Sequence, residues 1–330
     1  MRRILYLLLA LMVPVWGVVV ATSPVDPHGQ PKTIAIPQNA STSQIGALLE
    51  REGLVRHRLL FTTAVGVLNR SGSVKAGEYR LSPAMSLWEI ITRLLKGEAL
   101  LHAVTIPEGF TASQIASLLE ERGLARKERF LALVAEPSRF SFFSFLPSGA
   151  RNLEGYLFPD TYLLPRGVPE ETIIRRMLQR FDEVVTQEMR ERAQALGFSL
   201  HQIVTIASMI EREAKRPEER PLIARVIYNR LARGMRLEID ATVLYALGRH
   251  KERLDLQDLD VESPYNTYRH PGLPPGPIAN PGLASIQAAL YPANVDYLYY
   301  VAKPDGSHVF SRTFQEHLEA QRRIQGSRSR

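Results

Sequence analysis

Residues 105–126 read TIPEGFTASQIASLLEERGLAR, and residues 35–56 read AIPQNASTSQIGALLEREGLVR. Laid over each other without gaps at an offset of 70, the two stretches agree at eleven of 22 positions, which marks a duplicated module. Each copy predicts a short strand ending at Ile-Pro, then a turn, then a helix. In the second copy Thr111 or Ser113 stands where a helix cap belongs. Ile115, Leu118 and Leu119 form the apolar face, and Gly123 closes the helix as Gly53 does in the first copy. Between the copies, Lys75 to Arg80 and Leu87 to Lys96 supply a further strand and helix, enough for a small α+β module.

Downstream, helical patterns cover 170–196, 201–215, 222–232 and 242–247. The stretch SPYNTYRHPGLPPGPIANPG, residues 263–282, holds six prolines and cannot be a regular helix or a central strand. Aromatic and amide residues are interleaved with its turns, so it predicts a long ordered loop of the kind that binds. Ser285 to Leu290 reads as helix and Tyr297 to Ala302 as a buried strand. Asp305-Gly306 then turns toward His308, Val309 and Phe310 as its hairpin partner. Tyr156, Phe158 and Tyr162 read as core anchors.

The chain has 330 residues, a mass of 37.1 kDa and no cysteine. That size accommodates two compact domains. Without cysteine there is no disulfide framework, thiolate zinc site, iron–sulfur centre or cysteine nucleophile. Of the net charge of +7, Arg2 and Arg3 at one end and Arg322, Arg323, Arg328 and Arg330 at the other account for six. The body is close to neutral, which gives no support for a nucleic-acid partner. Ile4 to Ala21 is an uncharged run of 18 residues behind Arg2 and Arg3. Its length matches a bilayer core, and the leading arginines predict a cytoplasmic start, an uncleaved membrane anchor and an exported body. A cleaved signal peptide is the competing reading. Pro24, Pro27, Gly29 and Pro31 form a spacer.

For chemistry, the helix ASMIEREAK at 207–215 carries two acids. Glu211 and Glu213 are two positions apart, about 200° around the helix, so they cannot share one cleft. Either one against an apolar wall would hold a proton near neutrality and suit a general acid at a glycosidic oxygen. Spacing does not choose between them. Glu154 and Asp160 are further candidates for a cleft wall. There is no HExxH, GxGxxG, GxxxxGK or GxSxG, and the eight histidines form no compact ligand set, so neither metal nor cofactor is expected.

Several long motifs in order carry a resemblance: EGYLFPDTY at 154–162, ASMIERE at 207–213, VIYNRLARGMRLEIDATVLYALG at 226–248, the proline-rich loop at 263–282, and DGSHVF at 305–310. With them the chain resembles the YceG-like family, the MltG-type endolytic murein transglycosylases. The resemblance covers the anchor and most of residues 33–320. It implies an α+β architecture: an anchor at 1–23, a spacer at 24–32, a LysM-like region at 33–150 holding both repeat copies, a mixed α+β catalytic domain at 151–320 and a basic tail at 321–330.

The activity it implies is cleavage of peptidoglycan glycan strands between N-acetylmuramic acid and N-acetylglucosamine, leaving 1,6-anhydromuramyl ends. The family's catalytic glutamate matches Glu211, with Glu213 in support. Asn229, Tyr265, Asn266 and Asn280 resemble cleft residues, and Tyr265 and Asn266 are expected to read sugar hydroxyl and N-acetyl groups. Asp240 and Thr242 match the family's DxT segment, where Asp240 is expected to orient Arg230 or the loop. The implied location is the bacterial inner membrane, single-pass, with the catalytic domain outside the cytoplasm and peptidoglycan synthases as possible partners. The alternative is a non-catalytic, membrane-anchored peptidoglycan-binding or cell-division scaffold.

Overall fold

The computed structural model describes residues 20–68, 74–248, 251 and 254–328. The expected membrane span lies outside them except for its last two residues. Among the described residues, no single helix is long and apolar enough to cross a membrane. The fold is mixed α+β, with three two-stranded sheets among many short helices. Two compact units emerge. The smaller holds residues up to 104, 121–125 and 162–169; the larger holds 105–120, 126–161 and 170 onward. This division does not fall at residue 150, and most of the second repeat copy belongs to the larger unit.

In the smaller unit, β1 (Lys32–Ile36) pairs antiparallel with β2 (Gly77–Leu81), Ile34 opposite Tyr79. Period-two alternation turns Ile34 and Ile36 inward. They meet Ile45 and Leu49 of α1 (Thr42–Arg51), Phe61 and Val65 of α2 (Arg58–Val67), and Ile90, Ile91 and Leu94 of α3 (Leu87–Lys96) in one core. Helices α1 and α3 both start in capping boxes, Ser41 with Gln44 and Ser86 with Glu89.

The second copy has strand β3 (Leu101–Thr105), helix α4 (Ala112–Glu121) and helix α5 (Lys127–Val134); β3 pairs with β4 (Thr161–Pro165). Thr111, rather than Ser113, caps α4: its Oγ accepts from Gln114 N at 3.3 Å, and Gln114 Oε1 accepts from Thr111 N at 2.9 Å. Helices α1 and α4 begin and end 70 residues apart, as the repeat requires. The preceding turn also has one geometry in both copies, with φ of 59° at Asn39 and 76° at Gly109. Asparagine is among the few non-glycine residues that tolerate this left-handed conformation.

The larger unit is built on α8 (Leu200–Glu213), whose residues Ile203 to Ile210 are all buried. Around it pack α7 (Gln187–Ala195), α9 (Arg220–Ala232), α10 (Asp240–Leu247) and α11 (Leu283–Leu290). The helical stretch expected over 170–196 is two helices, α6 (Glu170–Val184) and α7, because Thr186 caps a new start by accepting from Met189 N. Phe143, Phe145, Tyr156 and Phe181 cluster with ring centroids 4.9–5.9 Å apart. Phe142 is instead exposed beneath Arg175. Strands β5 (Tyr299–Ala302) and β6 (His308–Ser311) form the expected antiparallel hairpin. Helix α12 (Phe314–Arg328) packs on this hairpin and extends through most of the basic tail.

Asn39→Val places a β-branched side chain where φ is positive. It should destabilise the smaller unit by about 1–2 kcal/mol, read from urea unfolding followed at that unit.

Candidate active site

The proline-rich loop is ordered because it lies along α8. Three contacts advance together on both: His201 Nε2 with Pro275 O at 3.0 Å, Ile278 N to Ser208 Oγ at 3.0 Å, and Gly282 N to Glu211 Oε2 at 3.0 Å. Asn280 N, between the last two donors, bonds Phe110 O at 2.9 Å, and Gly109 N returns to Asn280 O at 2.9 Å. This exchange fixes the turn before α4 beside the end of α8.

At that place stand two carboxyl groups. Glu211 has 7% of its side chain exposed. One oxygen accepts the Gly282 N–H, and the other lies 3.4 Å from Arg220 Nη2. Arg220 is itself anchored through Nε on Ser285 Oγ of α11 at 3.1 Å. The second carboxyl is Glu108, which the sequence reading passed over. It lies so tightly against Gly282 that a Cβ on that residue would fall within 1.9–2.7 Å of the Glu108 carboxyl atoms. A Cβ on Gly109 would stand 3.4 Å from Glu211 Cγ. Glu108 is exposed as a residue, yet its carboxyl end is tucked in. Loss of solvent there, then the Glu211 charge, raise its pKa, and Arg220 opposes the shift.

Glu154 is the buried centre of the neighbouring region. It accepts from Ala112 N at 2.9 Å and from Asn280 Nδ2 at 2.8 Å, with Tyr245 Oη at 3.5 Å. Burial pushes its carboxyl up to about 7 against these hydrogen bonds. Asn280, fully buried, also accepts from Gly155 N and Leu157 N, both at 2.9 Å, and donates to Phe110 O. Gly155 has φ of 89°, and any Cβ there would collide with Pro277 at 2.4 Å. A cavity of about 420 Å³ opens beside Glu154, lined also by Thr111, Gln114, Asn152, Arg212 and Tyr245. Tyr265 packs on Tyr245 with centroids 4.9 Å apart.

Glu213 faces elsewhere, as the helix geometry requires. It accepts from Tyr300 Oη at 3.2 Å, and burial followed by the Asp240 charge raises its pKa. Asp240, Tyr268, Arg230 and His308 line this second cavity, of about 310 Å³. Asp240 takes the Tyr268 hydroxyl at 2.5 Å and so orients the loop. Arg230 pairs instead with Glu238 and with the carbonyls of Leu237 and Leu298.

The remaining candidates hold backbone or pair with neighbouring side chains. Asn266 is fully buried: it donates to Leu259 O and Val261 O and accepts from Tyr268 N, so its amide ties down its own loop. Asn229 donates to Val295 O and Tyr297 O. Thr242 bonds Ile239 O and Thr267 Oγ1, and Asp160 pairs with Arg180 on α6. The structure thus brings Glu211 together with Glu108, Arg220 and Gly282, and Glu154 with Asn280 and Tyr245. The signal for Glu108 was present in the repeat, as Glu-Gly-Phe at 108–110 against Gln-Asn-Ala at 38–40.

Two outcomes follow. Gly282→Ala forces the Glu108 carboxyl aside. It should lower turnover while leaving thermal unfolding nearly unchanged, because the far end of one flexible side chain absorbs the clash. For Glu154, the folded pKa of about 7 exceeds the ordinary 4.5, so the folded state holds the proton more tightly than the unfolded chain. Stability is full below the ordinary value and falls as pH rises to about 7, and Glu213 and Glu108 shift in the same direction. Glu154→Gln should flatten this dependence by about 3 kcal/mol in urea unfolding across the window.

Residues 34–323 match the model of the YceG-like family. The chain is 36% identical over 314 residues to an endolytic murein transglycosylase of Bacillus subtilis (strain 168), covering 90% of this chain and 85% of that protein. It is 35% identical over 312 residues to one of Streptococcus pneumoniae serotype 2 (strain D39), covering 86% of this chain but 56% of that longer protein. The crystal structure of a YceG-like protein from Listeria monocytogenes superposes with a TM-score of 0.62 at 37% identity, covering 88% of this chain and 99% of that one. The chain belongs to the YceG-like family.

Proposed function

We propose that this protein is an endolytic murein transglycosylase that cuts nascent glycan strands between N-acetylmuramic acid and N-acetylglucosamine, leaving 1,6-anhydromuramyl ends. The observation that carries the reading is the setting of Glu211. Its carboxyl stands where α8, the loop end at Gly282 and Arg220 converge, in a chain 36% identical to an endolytic murein transglycosylase. Glu211 serves as general acid to the departing oxygen, then as base to the muramyl C6 hydroxyl. That hydroxyl attacks C1 within the same sugar, so proximity replaces the water a hydrolase would activate. No second nucleophilic carboxyl is needed, unlike in the usual two-carboxylate glycosidases. Glu213 supports the fold of the site from the far side of α8. Tyr265, beside Tyr245 and the Glu154 cavity, is the better placed of the loop side chains to meet sugar. Asn266 acts through the loop it holds.

The reading includes residues 4–21 as a single-pass anchor that sets the catalytic domain outside the cytoplasm, close to newly made strands and their synthases. It also assigns the repeat copies to a LysM-like region.

Incubation of the purified protein with uncrosslinked glycan strands, followed by mass analysis of the ends, tests it. Internal anhydro products are expected. Reducing ends would mean a hydrolase, and intact strands a binding scaffold. Glu211→Gln should fold normally, with an unchanged unfolding midpoint, and lose at least about 10³-fold in cleavage. Full activity in that variant would overturn the assignment.

A further inference from the structure

If residues 4–21 cross the membrane, the spacer behind them sets how far the smaller unit stands from it. That spacer is bound to the unit at three points. Arg56 Nη2 donates to Pro24 O at 2.9 Å, Asp26 N to Pro83 O at 3.1 Å, and the Ser82 hydroxyl to Gly29 O at 2.7 Å. Gly29 lies so close on Pro83 that a Cβ there would meet the ring at 2.6 Å. Pro24 follows Ala21 by three residues, so it stands at most about 11 Å from the end of the uncharged run. The polar layer of a bilayer is about 5–8 Å deep on each side, so a unit held at Pro24 is held against it.

The element that begins at this point is α2, whose first residue, Arg58, lies two positions after Arg56. Phe61 and Val65 turn into the core. The opposite face carries Leu59, Thr63, Gly66 and Val67, all exposed and within about 100° of the helix circumference. Leu59 is 59% exposed, and Val67, at 84%, is the most exposed large apolar residue among the described residues. Thr63 turns its hydroxyl back to Leu59 O at 2.6 Å, so it presents its methyl group. Residues 53–77 contain no acid, whereas Arg56, Arg58, Arg70 and Lys75 are basic. The acids just before this stretch are engaged: Glu50 lies 3.9 Å from His57 Nε2, and Glu52 lies 3.5 Å from Arg51 Nε.

We infer that the exposed face of α2 rests on an anionic membrane surface. Leu59 and Val67 enter the boundary between headgroups and acyl chains, and Arg56 and Arg58 meet the headgroup phosphates. The inference goes beyond the cleavage chemistry and rests on the reading of residues 4–21 as an anchor. A bilayer, rather than a second copy of the chain, is the occupant because the bonded spacer leaves no slack between the end of the anchor and the start of α2. The charge agrees: an uncharged apolar face flanked by arginines and free of acids complements anionic lipid.

The chain has no cysteine, so single labels can be placed without other changes. The full chain is put into nanodiscs of phosphatidylglycerol and phosphatidylcholine that contain a nitroxide lipid. Bimane is attached to Leu59→Cys or Val67→Cys, or to Ala35→Cys as reference, an exposed position on the outer face of β1, across the core from α2. The nitroxide should quench both α2 labels by at least about half and the reference by less than about a tenth. Val67→Glu should bring the Leu59→Cys signal down to the reference, and Arg58→Gln should weaken it. Quenching on α2 no greater than at Ala35→Cys would overturn the docking and leave the anchor reading intact. Crosslinking of two copies through Val67→Cys without lipid quenching would overturn it too. Protein stripped from the discs by about 1 M salt would overturn the anchor reading beneath it.

Discussion

The larger unit depends on how an extended, proline-rich segment satisfies its backbone. Prolines have no N–H, and those at 277 and 281 alternate with residues 278, 280 and 282, which do. Those three N–H groups all find partners: Ser208 Oγ, Phe110 O and Glu211 Oε2. One edge of the segment is therefore bonded inward over three alternate residues, and the prolines occupy positions where no donor is missed. Each such bond is worth about 1 kcal/mol net, but leaving its buried donor unmet costs about 1–3 kcal/mol. Register, more than summed attraction, is what these bonds set. The last of them ends on the carboxyl proposed for the chemistry, so the register of the loop is also the placement of Glu211.

Asn280 makes that register difficult to slip. Its side chain joins Phe110 and the segment of Glu154, Gly155 and Leu157, both far from it in sequence, through four hydrogen bonds in a dry environment. A shift by one residue would bury an amide without partners and turn Ile278 outward. Glu154 pays for this arrangement with its own desolvation, which is why its carboxyl rises to about 7 while still accepting from Ala112 and Asn280. The acid that looks most perturbed is thus a structural junction. The group proposed for catalysis stands apart from it, at the end of α8.

Much of this was legible in the sequence. Helical and strand patterns, glycine stops and the Asp-Gly turn are local signals, and they placed α1, α3 and the β5–β6 hairpin closely. The divergence of Glu211 and Glu213 followed from 100° per residue and needed no tertiary knowledge. The break between α6 and α7 was harder. Thr186 ends one helix and caps the next without proline or glycine, so nothing local distinguishes it from a mid-helix threonine. The amides at 229, 266 and 280 were recognisable as polar groups with a purpose. Whether an asparagine faces substrate or its own backbone depends on side-chain direction, which residue type does not encode, and Asn229 and Asn266 turn to backbone carbonyls. Glu108 lies more than 100 residues from Glu211, and only the pairing of Gly109–Phe110 with Asn280 brings them together.

The repeat explains why that pairing uses the turn it does. Both copies make the same strand, left-handed turn and capped helix, so the backbone that presents Glu108 is already present around Asn39. In the first copy the equivalent positions carry Gln38, Asn39 and Ala40, a turn of the same shape without a carboxyl. In the second, glycine takes the left-handed position, which its positive φ favours, and a Cβ there would stand in ordinary contact, 3.4 Å, with Glu211 Cγ. Glutamate comes just before it. Three substitutions in a backbone of the same shape therefore separate a packing turn from one that faces the end of α8. A duplicated element is suited to this division, because the geometry that stabilises one copy also positions, in the other, a charged group that the turn by itself does not need.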